Sequence, residues 1–192
     1  MPATRNRRSG WMFLAALAFS AAPLGAATYY VSPTGSDAAS GTSAFPWKTL
    51  RKAAAEVRAG DTVIVRDGTY AGGVTIETAG TAALPIVFKA AGKGAVILGS
   101  GAEDDAVTVD GSSLADPWWE GADMYVTLEG FTVREADRAG VRISCAHHVT
   151  VRKCTLTRNG KWGLFTDYAD HSLLELNVCS YSGEEHGIYV SN

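Results

Sequence analysis

Charge is sparse in this chain, with Asp, Glu, Lys and Arg making up 19% of its 192 residues. No long basic stretch with interleaved aromatics occurs, so the electrostatic footprint of a nucleic-acid binder is missing. Cysteine is scarce as well. Cys145, Cys154 and Cys179 form an odd set with no C-x-x-C or His/Cys spacing, which leaves no zinc pattern and makes buried free thiols the expectation. The apolar run from Trp11 to about Ala22 is short for a membrane span. Arg5, Arg7 and Arg8 precede it and Pro23-Leu-Gly-Ala-Ala27 follows, the three regions of a signal peptide. The pattern predicts cleavage after Ala27 and a secreted or periplasmic protein, with a retained anchor as the weaker reading. Without its leader the chain keeps 14 basic and 20 acidic residues, a net charge of −6, and its 165 residues suit one domain.

What the chain has is a repeat. Three apolar-alternating segments open on glycine, Gly140-Val-Arg-Ile, Gly163-Leu-Phe-Thr and Gly187-Ile-Tyr-Val, spaced 23 and 24 residues. Between them Val126-Thr-Leu128, Val149-Thr-Val151 and Leu174-Glu-Leu176 form one row. Phe131, Cys154 and Cys179 form another if one residue is gained in one turn and lost in the next. Short period-2 runs recurring every twenty-odd residues cannot bury their own apolar faces and must stack. The L-x-x-L-x-L-x-x-N pattern of leucine-rich repeats is absent. The prediction is an all-β, right-handed parallel β-helix, a solenoid of about three short strands per coil.

In such a solenoid, residues one repeat apart are neighbours at roughly 4.8 Å. Val141/Ile143, Leu164/Thr166 and Ile188/Val190 should face the core, and Arg142, Phe165 and Tyr189 should file along the outside. A corner set adjoins them: Asp137-Arg138-Ala139, Gly160-Lys161-Trp162 and Glu184-Glu185-His186. Together these columns are the candidate site.

Residues 28–60 read as an N-terminal segment with a capping α-helix over 46–59, where Leu50, Ala53, Ala54 and Val57 share a face. Coils should occupy 61–192. Strand-like runs occur at Val63, Val74, Ile86, Val96 and Val107, and an insertion over 110–123 carries Trp118 and Trp119, which can stack on sugar rings. The sequence stops at Tyr189-Val-Ser-Asn192 with no cap, so the β-helix is expected to be truncated at its C-terminus. Asp104-Asp105 with Asp110 form an acidic cluster, expected as a solvated turn, with a calcium site as the sharper alternative.

Tyr29-Tyr-Val-Ser-Pro-Thr-Gly-Ser-Asp37, Pro46-Trp-Lys-Thr-Leu50, Ala59-Gly-Asp-Thr-Val63 and Asp67-Gly-Thr-Tyr70 resemble the cap and first coil of secreted right-handed parallel β-helix proteins of the pectin-lyase-like superfamily. The family 9 polysaccharide lyases are among these. The repeats and Gly187-Ile-Tyr-Val-Ser-Asn192 resemble the same superfamily, including periplasmic repeat proteins with no lyase assignment. Resemblance to the lyases implies β-elimination on a uronic-acid polymer, with calcium held by an Asp-Asp-Gly-Φ-Asp arrangement. The comparable place here reads Glu185-His186-Gly187-Ile188-Tyr189 and keeps only the first carboxylate. No catalytic lysine can be matched by motif.

The ladder's own residues offer His186 as base and Tyr189 as proton donor or second base, with Glu185 beside them. Lys161, Arg138 or Arg142 would neutralise a carboxylate, and Trp162 and Phe165 would carry a sugar ring. The expected partner is a polysaccharide, an anionic one included, handled by a monomer free of the membrane. Two other readings stand beside the lyase: a non-catalytic carbohydrate-binding or surface β-helix, and, ranked lower, an inverting glycoside hydrolase using Asp137 and Glu184, two coils apart in one column. The Asn-Thr-Asp and Gly-His-Gly motifs of β-helix polygalacturonases are absent.

Overall fold

The computed structural model describes residues 25–99 and 105–191; the expected signal peptide up to residue 24, and Asp104, fall outside the described residues. Three long parallel sheets run along a solenoid, and Ala122–Asp123 pairs with Ala146–His147 in a fourth of two strands. The first stacks Thr28–Val31, Thr62–Val65, Ile86–Ala90, Val126–Glu129, Thr150–Arg152 and Leu173–Glu175. The second stacks Gly68–Ala71, Ala95–Leu98, Thr132–Arg134, Thr155–Thr157 and Val178–Ser180. The third stacks Val74–Ile76, Val107–Asp110, Ala139–Ser144, Trp162–Asp167 and Ile188–Val190. Period-2 sequences form these strands because one face of each is buried by the two other sheets, and Val63, Val126, Ile143, Leu156 and Leu164 are fully enclosed there. Truncating one of the larger of these side chains to alanine should cost about 2–5 kcal/mol.

The bends between strands carry the period. Tyr125, His148 and His171 all adopt left-handed backbone, at φ 46°, 57° and 54°. So do Gly130, Lys153 and Leu176 (82°, 55°, 56°) and Glu135, Arg158 and Tyr181 (64°, 56°, 54°), each column advancing by 23 residues. For non-glycine residues this conformation costs on the order of 1–3 kcal/mol, so it persists only where stacking on the neighbouring coil holds it.

Those columns correct the expected register at two places. Leu174, not Leu176, lies opposite Val151; Leu176 occupies a left-handed bend and is 73% exposed. Cys179 pairs with Leu156, while the Asn177 side chain accepts from Cys154 N at 3.0 Å. The last two coils still agree at Tyr181, so the extra residue falls between Tyr181 and Gly187. All three thiols are free, and burial pushes each above its ordinary value.

The helix is shorter than the periodicity suggested, Leu50–Glu56. Pro46 and Trp47 precede it in an extended segment where Trp47 bridges to Val31, and Thr49 caps the helix by accepting from Lys52 N at 3.1 Å. Leu50, Ala53 and Ala54 are buried, and the helix packs on Val74–Ile76 and Thr28–Val31. At the other end of the described chain, Ile188 and Val190 keep register with Leu164 and Thr166 but remain exposed, because their strand is the edge of its sheet.

Outside the first sheet Lys89, Glu129, Arg152 and Glu175 are successive cross-strand partners of alternating charge. Glu129 accepts from Arg152 at 2.8 Å and from Lys153 at 3.0 Å, and those bonds, Lys153 first, hold its carboxyl below the ordinary value.

Candidate functional site

The outer face of the third sheet is where the chemistry-bearing residues meet. Alternation on Ala139–Ser144 and Trp162–Asp167 buries Val141, Ile143, Leu164 and Thr166 and turns Arg142 and Phe165 outward. Arg142 pairs with Phe165 and Phe165 with Tyr189, so the expected file exists. Phe165 and Tyr189 are stacked at 5.6 Å and 7°, and Trp162 lies on Phe165 at 4.4 Å and 20°. Arg142 stands over the Phe165 ring at 5.8 Å.

This packing corrects the role expected of Phe165 and Trp162. Protein groups occupy the Phe165 faces, and Trp162 is buried with its indole N–H donated to Glu185 at 2.9 Å. Neither ring is an open surface for sugar. Lys161 sits 3.8 Å from Glu185 and 5.4 Å from the Trp162 ring, so lysine and glutamate answer each other across one coil. His186 is exposed, 5.8 Å ring to ring from Tyr189, which is 38% exposed.

Both arginines hold carboxylates of the protein. Arg142 donates to both oxygens of Asp167, at 3.0 and 2.7 Å, and those bonds raise its already high pKa. Arg138 grips Asp105 through two guanidinium nitrogens, and Asp105 also accepts from Ala139 N at 3.0 Å. Asp105 is therefore a buried structural anion, not part of a solvated turn. Asp110 accepts from Ser112 N at 2.9 Å.

The next outward column was missed in the sequence: Asp110, Ser144 and Asp167 are cross-strand partners, two positions beyond Thr108, Arg142 and Phe165. The same alternation that found Arg142 would have found Asp167. Trp118 and Trp119 lie on a short helical turn, Trp118–Glu120, past this end of the sheet and close to Tyr168.

The hydrolase pair does not align. Gly160 N donates to Ala136 O, and Gly183 N to Asn159 O, which puts Gly183 rather than Glu184 behind Gly160 and Asp137. A Cβ on Gly160 would come within 1.9 Å of Asp137 O, and one on Gly183 within 2.8 Å of Gly160 O. Among the described residues no three His, Cys, Asp or Glu side chains converge as ligands, and Asp105 is committed to arginine. No described helix is long and apolar enough to cross a membrane.

Curated relatives share the sequence at a distance. The chain is 31% identical over 152 residues to the pectate lyase PEL9 of Emericella nidulans, covering 78% of this chain and 32% of that protein. It is 29% identical over 137 residues to the uncharacterized protein YwoF of Bacillus subtilis, covering 64% and 27%. This chain thus spans a third or less of the length of these relatives. Among solved structures, pectate lyase Pel9A superposes with a TM-score of 0.62 at 22% identity, over 78% of this chain and 38% of that one. GH136 lacto-N-biosidase from Eubacterium ramulus gives 0.61 at 16%, over 84% and 42%. At these identities the structures speak for the fold alone. A family described as Pel9A-like, right handed beta helix region matches residues 29–187, from the first strand to the threshold of the last, and this chain belongs to that family.

Proposed function

We propose that this protein is an exported polysaccharide lyase that cleaves a uronic-acid-containing polymer by β-elimination. Supporting this are the family membership and the exposed His186–Tyr189 pair on the outer face of the third sheet. In the proposed reaction His186 removes the proton on the carbon next to the uronate carboxyl. The freed electron pair forms the ring double bond, the bond to the glycosidic oxygen breaks, and Tyr189 donates a proton to that oxygen. Lys161, held only loosely at 3.8 Å by Glu185, offsets the substrate carboxylate, while Arg138 and Arg142 shape the face through Asp105 and Asp167. No step passes through calcium.

The test is the ultraviolet absorbance of unsaturated product on a panel of pectate, alginate and rhamnogalacturonan. His186→Ala and Tyr189→Phe should each lower the rate by about 10²-fold or more. Equal rates in wild type and both variants would remove the pair from the mechanism. A second reading, a non-catalytic carbohydrate-binding β-helix, draws on the engagement of both arginines by aspartates. Polymer binding without unsaturated product across the panel would establish it.

A further inference from the structure

The 110–123 insertion and the segment after Trp162–Asp167 meet in a patch that the elimination chemistry does not use. Trp118, Trp119 and Tyr168 are 50%, 53% and 42% exposed. Trp118 packs edge-on to both others, at 5.7 Å and 84° from Trp119 and 5.5 Å and 78° from Tyr168. Three large aromatics left half in solvent are costly to keep unless something covers them.

The patch is also held in place. His147 Nε2 donates to Glu120 O at 2.6 Å, and His147 Nδ1 accepts from Asp170 N at 2.9 Å. One imidazole thereby ties the turn bearing both tryptophans to the segment bearing Tyr168. Gly121, at φ 72°, admits that ring: a Cβ there would stand 2.7 Å from His147 Nε2. The rings thus form a built platform.

Charge selects the occupant. Residues 110–123 contain Asp110, Asp116, Glu120 and Asp123 and no Lys or Arg, and residues 166–171 add Asp167 and Asp170, again without Lys or Arg. On the adjoining strand of the third sheet, Arg142 is bound by Asp167. A uronate on this platform would find no lysine or arginine in either segment to pair with, whereas an uncharged sugar ring offers apolar C–H faces to the indoles and hydroxyls to the surrounding acceptors.

We infer that Trp118, Trp119 and Tyr168 form a subsite for uncharged glycosyl units, beside the face proposed to process uronate. The inference rests on the polysaccharide reading and deepens it: the substrate would be a polymer that combines neutral and acidic sugars. The platform adjoins the end of the third sheet, since Tyr168 directly follows the strand Trp162–Asp167 and lies three residues, at most about 10 Å of chain, beyond Phe165.

Affinity electrophoresis of the full chain through gels containing neutral galactan, arabinan, glucan, mannan or xylan tests this, with polygalacturonate gels alongside. At least one neutral polymer should retard the protein and alter its tryptophan fluorescence. Trp119→Ala should weaken that retardation at least tenfold with unchanged melting, Trp119→Tyr should restore it, and Trp118→Ala should match Trp119→Ala. Retardation by polygalacturonate should be the same in all four proteins. No retardation by any neutral polymer, or equal retardation of wild type and both alanine variants, would overturn the inference. Formation of unsaturated product is scored separately, so loss of the platform and loss of the lyase reading give different results.

Discussion

Replacing Glu129 by glutamine preserves the shape of the first sheet's outer face and removes one charge from the Lys89–Glu129–Arg152–Glu175 ladder. The carboxylate is buried to 7% exposure and accepts from Arg152 at 2.8 Å and Lys153 at 3.0 Å. Protected bonds to a charged group contribute about 1.5–3 kcal/mol each. The partners here are 38% and 54% exposed, so solvent screening brings the pair down to roughly 1–2 kcal/mol in total. For a chain of this size that corresponds to a melting temperature lower by about 2–8 °C at neutral pH. The pH dependence has a definite sign. A carboxyl held below 4.5 in the folded state contributes its stability in full above 4.5, and that contribution is lost as pH falls through the lower folded value. Wild type should therefore lose stability more steeply than Glu129→Gln below pH 4.5, and the two melting curves should converge in acid. Thermal melts by circular dichroism from neutral pH into acid give the answer. A parallel pair of profiles, or a variant as stable as wild type at neutral pH, would refute the argument that stacking places these charges within reach.

Other outcomes follow from single contacts. Gly160→Ala drives a Cβ to within 1.9 Å of the Asp137 carbonyl, where backbone cannot yield, and should cost about 1–3 kcal/mol in urea melts; a neutral result would mean the corner packs less closely. Thr49→Ala removes the helix cap to Lys52 N and the hydroxyl bond to Asp37, and should cost about 1 kcal/mol by the same measurement. Cys179, half-buried, should react first with a thiol reagent at mildly alkaline pH, with buried Cys145 and Cys154 reacting only after denaturation; fast labelling of all three would contradict their raised pKa values.

Stacking was legible in the sequence because the glycine segments preserve their spacing and alternate with period 2, and both constraints come from burial. Register within a coil was less legible. Leu176 reads as a core leucine, yet it sits in a left-handed bend whose neighbours Gly130 and Lys153 share only backbone conformation, not side-chain type. Cys179 was aligned to Cys154 by chemical identity, while the ladder sets Asn177 there. The outward file of Arg142, Phe165 and Tyr189 followed from alternation alone. What its members touch did not, because Asp105 reaches Arg138 from 33 residues away and Asp167 reaches Arg142 from 25, each crossing columns rather than following one. Tyr168 and His147 went unnoticed because, although His147 lies one coil from both Asp123 and Asp170, the contacts that build the platform, Trp118 to Tyr168 and Glu120 to His147, fall outside the 23- and 24-residue spacing.

The most direct test of the proposed chemistry is cleavage of a uronic-acid polymer in ¹⁸O-labelled water. Elimination uses no water, so in reactions quenched before the reducing-end hydroxyl exchanges with solvent the account predicts unsaturated fragments that carry no label. Saturated fragments with one ¹⁸O at the new end would mean hydrolysis, and an intact polymer would leave the face without a reaction; either result contradicts it.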